Sequence, residues 1–393
     1  MKRLFPQATA QTSHSSAPFD EAAGQEEPAG TRLRQIHQAS QVLRAGGVVL
    51  LRGEEPILLL GAETALATSV AELLKHSAAP PVLLLTRTKA TEIFGPLETT
   101  QADVLAFALP KELLSAEALR GFAETSVPEA KTWSSRLKPA AWQPRAGGAA
   151  LKLIKHAGLL PALVVAKARA ELKDPSAGDR AASPSESDLG AYSKLLAQAL
   201  RPIAEAVVPL AEAPEARVIA FRVEGLGVEE FAIVIGELAN HPAPLVRLHS
   251  ACFTGDLLGS LRCDCGQQLR GAIRRMAEEG AGVLLYLAQE GRGIGLVNKL
   301  RAYALQDQGL DTLDANRALG WEADERNFHI AARMLELLGV KRVRLLTNNP
   351  RKVAALSADG IEVVAREPLV IAPNGVNDRY LATKAKRFGH MLG

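Results

Sequence analysis

The chain has 393 residues, of which 47% are hydrophobic and 23% are charged, and its formal net charge is +3. A chain of this length is expected to form two domains that each bury a core, and its mild charge gives no general indication of nucleic-acid binding. The longest apolar stretch, at 159–166, is much shorter than the roughly 20 residues of a membrane-spanning helix, so we expect a soluble protein.

The first half of the chain is predicted to form one α/β domain after a disordered tail. Residues 1–30 begin with a basic pair but contain no apolar core of signal-peptide length, which favours a tail without an export signal. From 31 to 174, apolar runs separated by glycines and polar turns suggest alternating helices and strands. The segment 175–188 is rich in Pro, Ser and charged residues without apolar periodicity, and it is interpreted as an interdomain linker.

Helices and strands alternate more clearly in the second domain, 189–393. Its first residues look helical up to about Pro209, and two strand-like segments follow. A helix over 264–279 is predicted to stop at a glycine, and a buried strand, two further helices and another strand come after it. Asn349 as an N-cap and Pro350 at the first helical position begin the last predicted helix. The fold class predicted is therefore α/β, with two domains that are each a mixed sheet with flanking helices.

All three cysteines of the chain, Cys252, Cys263 and Cys265, lie within fourteen positions. Three protein ligands that leave a fourth position to water are typical of a catalytic zinc site. Unpaired thiols also suit a reducing compartment, and we expect a cytoplasmic location. Two alternatives stay open, namely three inert thiols and a structural zinc ion with His249 as its fourth ligand. The motif of the zinc deaminases is absent.

Two turns near the cysteines are candidates for binding an anion. The segment 289–296, QEGRGIGL, joins a strand end to a helix through glycines that let backbone amides approach a phosphate, although a short Gly-rich turn is unspecific. In the segment 346–352, Thr347 ends a strand and Lys352 lies in the first turn of the next helix, which suits a phosphate group. Neither turn contains the Walker motif.

Four segments, taken together and in this order, resemble the GTP cyclohydrolase II family: RLHSACFTGDLLGSLRCDCG, YLAQEGRGIGLVNKLRAYALQDQGLDT, ADERNF and RLLTNNPRK. The resemblance covers roughly residues 217–393, and its motifs are specific. It implies an enzyme, a hydrolase acting on cyclic amidine C–N bonds. The reaction would convert GTP to 2,5-diamino-6-(5-phosphoribosylamino)pyrimidin-4(3H)-one, formate and pyrophosphate, the first step of riboflavin biosynthesis. A homodimer and magnesium bound with the triphosphate are also implied.

The resemblance also implies roles for individual residues. The three cysteines would hold one zinc ion per chain, which activates water for attack on C8 of guanine. Asp324 and Arg326 would be catalytic at the α-phosphate, and Tyr303 would lie beside the reacting ring, although a core role suits Tyr303 equally well. Because guanidinium stays protonated in proteins, we favour Arg326 as a stabiliser of phosphoryl charge over Arg326 as a nucleophile. The positions that correspond to the GTP contacts of the family are Arg247, Leu248, His249, Ser250, Ala251, Gln268, Glu290, Gly291, Arg292, Thr312, Thr347 and Lys352.

The first half resembles another enzyme of the same pathway. In many relatives a 3,4-dihydroxy-2-butanone 4-phosphate synthase domain precedes the cyclohydrolase, and VLRAGGVVLL at 42–51 resembles the start of that domain. The synthase then needs an acidic run for magnesium, of which only Glu54 and Glu55 are present here. We therefore predict that 31–174 is a diverged synthase-like domain without catalytic activity.

Two departures from the family pattern keep other functions open. Ala251 stands where some relatives carry an acidic residue, and Ala288 stands where many carry Arg. Loss of these side chains favours the alternative of a non-catalytic GTP-binding regulatory or scaffold protein with a structural zinc. A zinc module for nucleic acid is disfavoured, because the net charge is mild and no run of aromatic and basic residues is present.

Overall fold

A computed structural model describes residues 27–97, 102–124, 129–173, 183–372, 374–378 and 387. Most of the predicted tail, up to residue 26, and most of the predicted linker, up to residue 182, lie outside the described residues. Within the described ranges, no helix has the length and apolar character that a membrane crossing requires.

The first half forms a sheet flanked by helices. Its strands are β1 (Val49–Leu51), β2 (Ile57–Gly61), β3 (Val82–Thr86), β4 (Val104–Ala108), β5 (Lys138–Pro139) and β6 (Ala162–Lys167). Its helices are α1 (Ala29–Arg44), α2 (Ala67–His76), α3 (Arg87–Phe94), α4 (Ala116–Glu124), α5 (Glu129–Ser134) and α6 (Gly147–His156). The sheet order is β1-β2-β6-β3-β4-β5, with antiparallel pairs throughout. The central strands β2 and β3 are buried along their whole length, which explains their unbroken apolar sequences.

The second half forms a larger sheet in the order β13-β12-β10-β11-β9-β8-β7. Its strands are β7 (Leu200–Val207), β8 (Arg217–Val223), β9 (Glu229–Ile235), β10 (Leu245–Ser250), β11 (Gly282–Leu287), β12 (Arg342–Leu346) and β13 (Glu362–Glu367). Its helices are α7 (Glu186–Ala199), α8 (Cys265–Glu279), α9 (Gly295–Asp307), α10 (Thr312–Ala318), α11 (His329–Leu337) and α12 (Pro350–Ala358). Strands β10 to β13 include parallel pairs, whereas β7, β8 and β9 pair antiparallel. The prediction of two α/β domains is confirmed, and mixed strand directions occur in this second sheet.

Local signals fix several of these boundaries. Gly280 ends α8 in the left-handed conformation, with φ of 77°. The side chain of Asn349 accepts a hydrogen bond from the backbone N–H of Arg351, and Pro350 is the first residue of α12. Both predictions are therefore confirmed.

The helix predicted up to about Pro209 is shorter than expected. Helix α7 ends at Ala199, and Leu200–Val207 is strand β7, which pairs with β8 at the edge of the sheet. Pro202 explains the change, because proline breaks a helix interior and is accepted in an edge strand. The periodic apolar pattern of this segment does not by itself indicate that β8 will pair with it in the sheet.

One apolar cluster spans the two halves. A single cluster of buried side chains combines residues of the first half, such as Leu83 and Phe122, with Leu319 and Trp321 of the second. Trp321 is 1% exposed. The segment between α10 and α11, which contains Asp324 and Arg326, is therefore packed against the first half of the chain.

Candidate active site

The three cysteines lie together beside the carboxyl end of β10. Cys252 follows that strand closely, Cys265 begins α8, and their sulfur atoms with that of Cys263 lie within 4.8 Å of one another. The Sγ atoms of Cys252 and Cys263 are 3.8 Å apart. Thiolates bound to one tetrahedral zinc ion at about 2.3 Å would have sulfur atoms about 3.8 Å apart, so the donor set fits zinc.

Gly255 makes room for this cluster. A Cβ atom at this position would lie 2.7 Å from Sγ of Cys263 and 3.0 Å from Sγ of Cys252, closer than such atoms approach. The residue between the ligands must therefore be glycine, and the turn wraps directly around the place where a metal ion would sit.

Lys299, on α9, brings a positive charge to the thiols. Its Nζ donates to Sγ of Cys252 at 3.1 Å, to Oγ1 of Thr254 at 2.9 Å and to Oε1 of Glu290 at 2.9 Å. Hydrogen bonds from Cys263 and Cys265, together with the charge of Lys299, hold the pKa of Cys252 well below its usual range. Cys252 therefore favours the thiolate form, which is the form that binds a metal, whereas its hydrogen bond to Cys263 raises the pKa of that second thiol.

His249 contacts Asp256 in this structure. Its Nε2 lies 3.1 Å from both carboxylate oxygens of Asp256, and its ring stacks on Tyr286. The hydroxyl of Tyr286 and the backbone N–H of Cys252 also donate to Asp256, each at 3.0 Å. Asp256 thus connects the segment that follows Cys252 to two strands of the sheet, and His249 is not among the described residues grouped as a metal cluster.

Every residue predicted to contact GTP lines one cavity beside the thiols, and so do Tyr303 and Arg326. Sequence reasoning did not place several further lining residues in the site, namely Ile294, Lys299, Ala302, Gln306, Asn316, Asn348 and Asn349. The spacing of Lys299 and Tyr303, four residues apart on one helix, is the signal that could have identified Lys299.

Arg247 is the most buried cation of the cavity wall. It donates to the side chain of Gln268, whose amide donates to Asp264 at 2.5 Å. Burial lowers the pKa of Arg247 to about 10, so the guanidinium stays charged at neutral pH. Nε of Arg247 is buried without a hydrogen-bond partner among the described residues. The chain therefore holds a positive charge ready for an anionic ligand.

The Gly-rich turn has an unusual backbone. Gly291 and Arg292 both adopt left-handed φ angles, 63° and 64°, and among the described residues Arg292 is alone among non-glycines in having a positive φ. Such a conformation is costly for a residue with a Cβ atom, and strained residues of this kind occur mostly at functional sites. Arg292 lines the cavity, so this backbone conformation occurs at the candidate site.

Asp324 and Arg326 form a tight pair in the loop before α11. Nε of Arg326 donates to Oδ1 of Asp324 at 2.8 Å, and Nη2 donates to Oδ2 at 2.7 Å. Burial would raise the pKa of Asp324, but the hydrogen bonds and charge of Arg326 outweigh it and lower that pKa. Arg326 is among the residues that line the cavity, and Asp324 is not. Asp324 is therefore placed to orient the guanidinium.

Glu230 supports the strand end that leads to the Gly-rich turn. Its side chain is 3% exposed and accepts a hydrogen bond from the backbone N–H of Ala288 at 2.7 Å. Burial raises the pKa of Glu230 to about 7, against the opposing effect of that hydrogen bond. The folded protein thus prefers the protonated carboxyl, and the stability this group contributes at low pH is lost as the pH rises from about 4.5 to about 7.

We expect Glu230→Gln to be more stable than the wild type at pH 8, by about 3 kcal/mol, because glutamine keeps the acceptor without a buried charge. At pH 4 the two proteins should be equally stable. The midpoints of urea unfolding at pH 8 and pH 4 measure this difference in stability. Glu229→Gln, at the exposed neighbouring residue, is the matched control and should show no such pH-dependent gain. Equal urea midpoints for Glu230→Gln and wild type at pH 8 would refute the assignment.

Comparisons with known proteins agree with the residues gathered at this site. A profile of the GTP cyclohydrolase II family matches residues 201–368. A GTP cyclohydrolase-2 of Azospirillum brasilense is 43% identical over 383 residues, which cover 95% of this chain and 96% of the relative. A GTP cyclohydrolase-2 of Escherichia coli O9:H4 is 52% identical over 193 residues, which cover 49% of this chain and 98% of the relative.

One solved structure is similar over most of the chain. It is a two-domain 3,4-dihydroxy-2-butanone 4-phosphate synthase from A. baumannii, with 18% sequence identity and a TM-score of 0.31. The match covers 86% of this chain and 99% of that protein.

Proposed function

Because the chain belongs to the GTP cyclohydrolase II family, we propose that it hydrolyses GTP with release of formate and pyrophosphate, in riboflavin biosynthesis. The observation that carries this proposal is the position of three thiols, within 4.8 Å of one another, at a cavity lined by all the residues expected to contact GTP. Loss of C8 as formate requires hydrolysis of both of its C–N bonds. The site must therefore bind the guanine ring next to a source of activated water.

The thiol end of the cavity suits the guanine ring. A zinc ion held by Cys252, Cys263 and Cys265 would supply a Lewis acid and lower the pKa of a water molecule in its open position. Lys299 helps to keep Cys252 in the charged form by donating a hydrogen bond to its sulfur. Burial raises the pKa of Tyr303, so its hydroxyl keeps its proton and can donate it to a nitrogen that leaves C8.

The cations of the cavity wall suit the triphosphate. Arg247, Arg292, Arg326 and Lys352 supply positive charge, and Thr347 lies three residues before the start of α12. Arg326 would stabilise negative charge that develops at the α-phosphate, with its guanidinium held in place by Asp324. Magnesium bound to the phosphates is expected in addition.

The rest of the proposal concerns the whole molecule. Residues 31–174 would be a diverged synthase-like domain without catalytic activity, because Glu54 and Glu55 are its only acidic pair at the expected place, and Arg145 and Lys167 neutralise them in this structure. We further propose a homodimer without nucleic-acid partners. The free thiols of the site suit a reducing, cytoplasmic environment.

The test is product release by the purified, zinc-loaded chain with GTP and magnesium. We expect equal amounts of formate and pyrophosphate from GTP and neither from ATP. Adenine carries different hydrogen-bond donors and acceptors from guanine on its edge, so it does not match the polar groups of the site. Binding of GTP without formate would favour the alternative, a non-catalytic GTP-binding scaffold with a structural zinc, and would refute the proposal.

A further inference from the structure

We propose that the first half of the chain acts as a support for the catalytic loop 321–328, and that Lys155 is the positioning residue through which it acts. The inference rests on the proposed function in assigning catalysis to this loop. The loop contains no regular helix or strand, so its conformation depends on a few individual contacts. Three sets of contacts from the first half reach it or the helices beside it.

The first contact is an ion pair with the residue between the two catalytic side chains. Nζ of Lys155, at the end of α6, lies 2.5 Å from Oε1 of Glu325, and both side chains are at least 80% buried. The same oxygen accepts the backbone N–H of Glu322 at 2.9 Å. The backbone N–H of Glu325 donates to the carbonyl of Arg292 at 3.1 Å. Lys155 therefore fixes a residue that ties the catalytic loop to the Gly-rich turn.

The second set holds the end of α10 and the residues after it. Oγ1 of Thr86 donates to the carbonyl of Gly320 at 3.0 Å, and Nζ of Lys89 donates to the carbonyl of Ala318 at 3.3 Å. Lys89 is fully buried at this junction. These bonds cap the end of α10, which begins at Thr312, a predicted GTP contact. The first half therefore holds the residues that directly precede the catalytic loop.

The third set reaches α9, which carries Lys299 and Tyr303. The side-chain amide of Asn298 donates to the carbonyl of Gly158 at 2.9 Å, and Arg301 donates to Glu63 at 2.6 Å. Asn298 is fully buried. The first half thus contacts three neighbouring parts of the cavity wall, and in these three sets Lys155 is the residue that forms an ion pair with the catalytic loop.

The short relatives show that this support is an addition in longer chains. The relative from E. coli O9:H4 aligns over 98% of its own length with 193 residues of this chain, which leaves no room for a counterpart of the first half. Such proteins must order the loop by other means. In this chain, the cost of ordering the loop is offset by contacts with a domain that we propose has no reaction of its own.

The test compares Lys155→Met with Lys167→Met in the full zinc-loaded chain. Lys167 is a close match, because its Nζ also pairs with a glutamate, Glu55 at 2.7 Å, and also lies over a tryptophan ring. For Lys155 that ring is Trp321. The Lys167 pair, however, contacts no catalytic element.

Two readouts are expected to separate the variants. Hydrogen exchange of the peptide spanning 320–328 should be about tenfold faster in Lys155→Met and unchanged in Lys167→Met, because Lys155 no longer holds the Glu325 side chain that accepts the amide of Glu322. The kcat for formate release should fall about tenfold in Lys155→Met, with the KM for GTP changed less than about threefold, because the loop with Arg326 is misplaced while Arg247, Arg292 and Lys352, which lie outside it, still bind the phosphates.

Unchanged exchange of 320–328 in Lys155→Met would overturn the proposal, and so would equal losses of kcat in both variants. If Lys155→Met does not fold, Glu325→Gln is tested instead, with Glu55→Gln as the control. Glu325→Gln removes the negative charge that pairs with Lys155 but keeps a side-chain oxygen that can accept the backbone N–H of Glu322. A wild type that releases no formate would refute the proposed function alone, because the exchange measurement still decides whether Lys155 supports the loop.

Discussion

Replacing Cys263 with serine is expected to remove zinc from the chain and to lower formate release from GTP by at least about 10³-fold. Serine is a much poorer zinc ligand than a thiolate, and two remaining thiols do not complete the three-ligand set of a catalytic site. Zinc content by atomic absorption after gel filtration, measured beside formate release, checks both parts.

The fold should survive this substitution. Cys263 lies in a short turn before α8, and its thiol packs against Gly255 and the other two cysteines. The circular dichroism spectrum of the variant should therefore match that of the wild type. A Cys263→Ser protein that still binds one zinc per chain and releases formate at the wild-type rate would contradict the assignment of the thiols.

Replacing Arg326 with lysine is expected to lower kcat by about 10²-fold, although the positive charge is kept. Lysine cannot make the two parallel hydrogen bonds that join Arg326 to Asp324, and its ammonium would not occupy the place of the guanidinium. Steady-state formate release across a range of GTP concentrations separates kcat from KM.

Arg342→Lys is the matched control for this prediction. Arg342 also makes two hydrogen bonds to one carboxylate, that of Glu362, but this pair is exposed on β12 and β13. Its substitution should leave kcat within about twofold, since exposed ion pairs contribute little. An Arg326→Lys enzyme as active as Arg342→Lys would show that the guanidinium of Arg326 has no special role.

The thiol cluster and much of the cavity lining are predictable from the sequence because their signals are local. Cys263 and Cys265 are two residues apart, and Asn349 with Pro350 marks the start of α12 without knowledge of the rest of the fold. The resemblance of the motifs to a family then assigns twelve GTP contacts that line the cavity, but not lining residues such as Lys299 and Asn316. All of these stretches lie in the second half of the chain.

Other features depend on contacts between distant residues and are not readable from local patterns. The sequence of β7 suggests a helix, and only its pairing with β8 in the folded sheet shows that it is a strand. Lys155 and Glu325 are separated by 170 positions, and nothing in the sequence near either residue indicates their contact. The role of Asp256 is also not readable from the sequence near it. Its carboxylate contacts His249 and Tyr286 only because the sheet brings these two residues together.

The most direct test of the central claim uses GTP labelled with carbon-13 at C8 and follows the zinc-loaded chain by NMR. We predict that the guanine C8 signal disappears and that a formate signal of equal intensity replaces it, with no conversion by Cys263→Ser. If the label stays in guanine while the protein holds zinc and binds GTP, the thiols do not serve hydrolysis at C8, and the account given for this site is wrong.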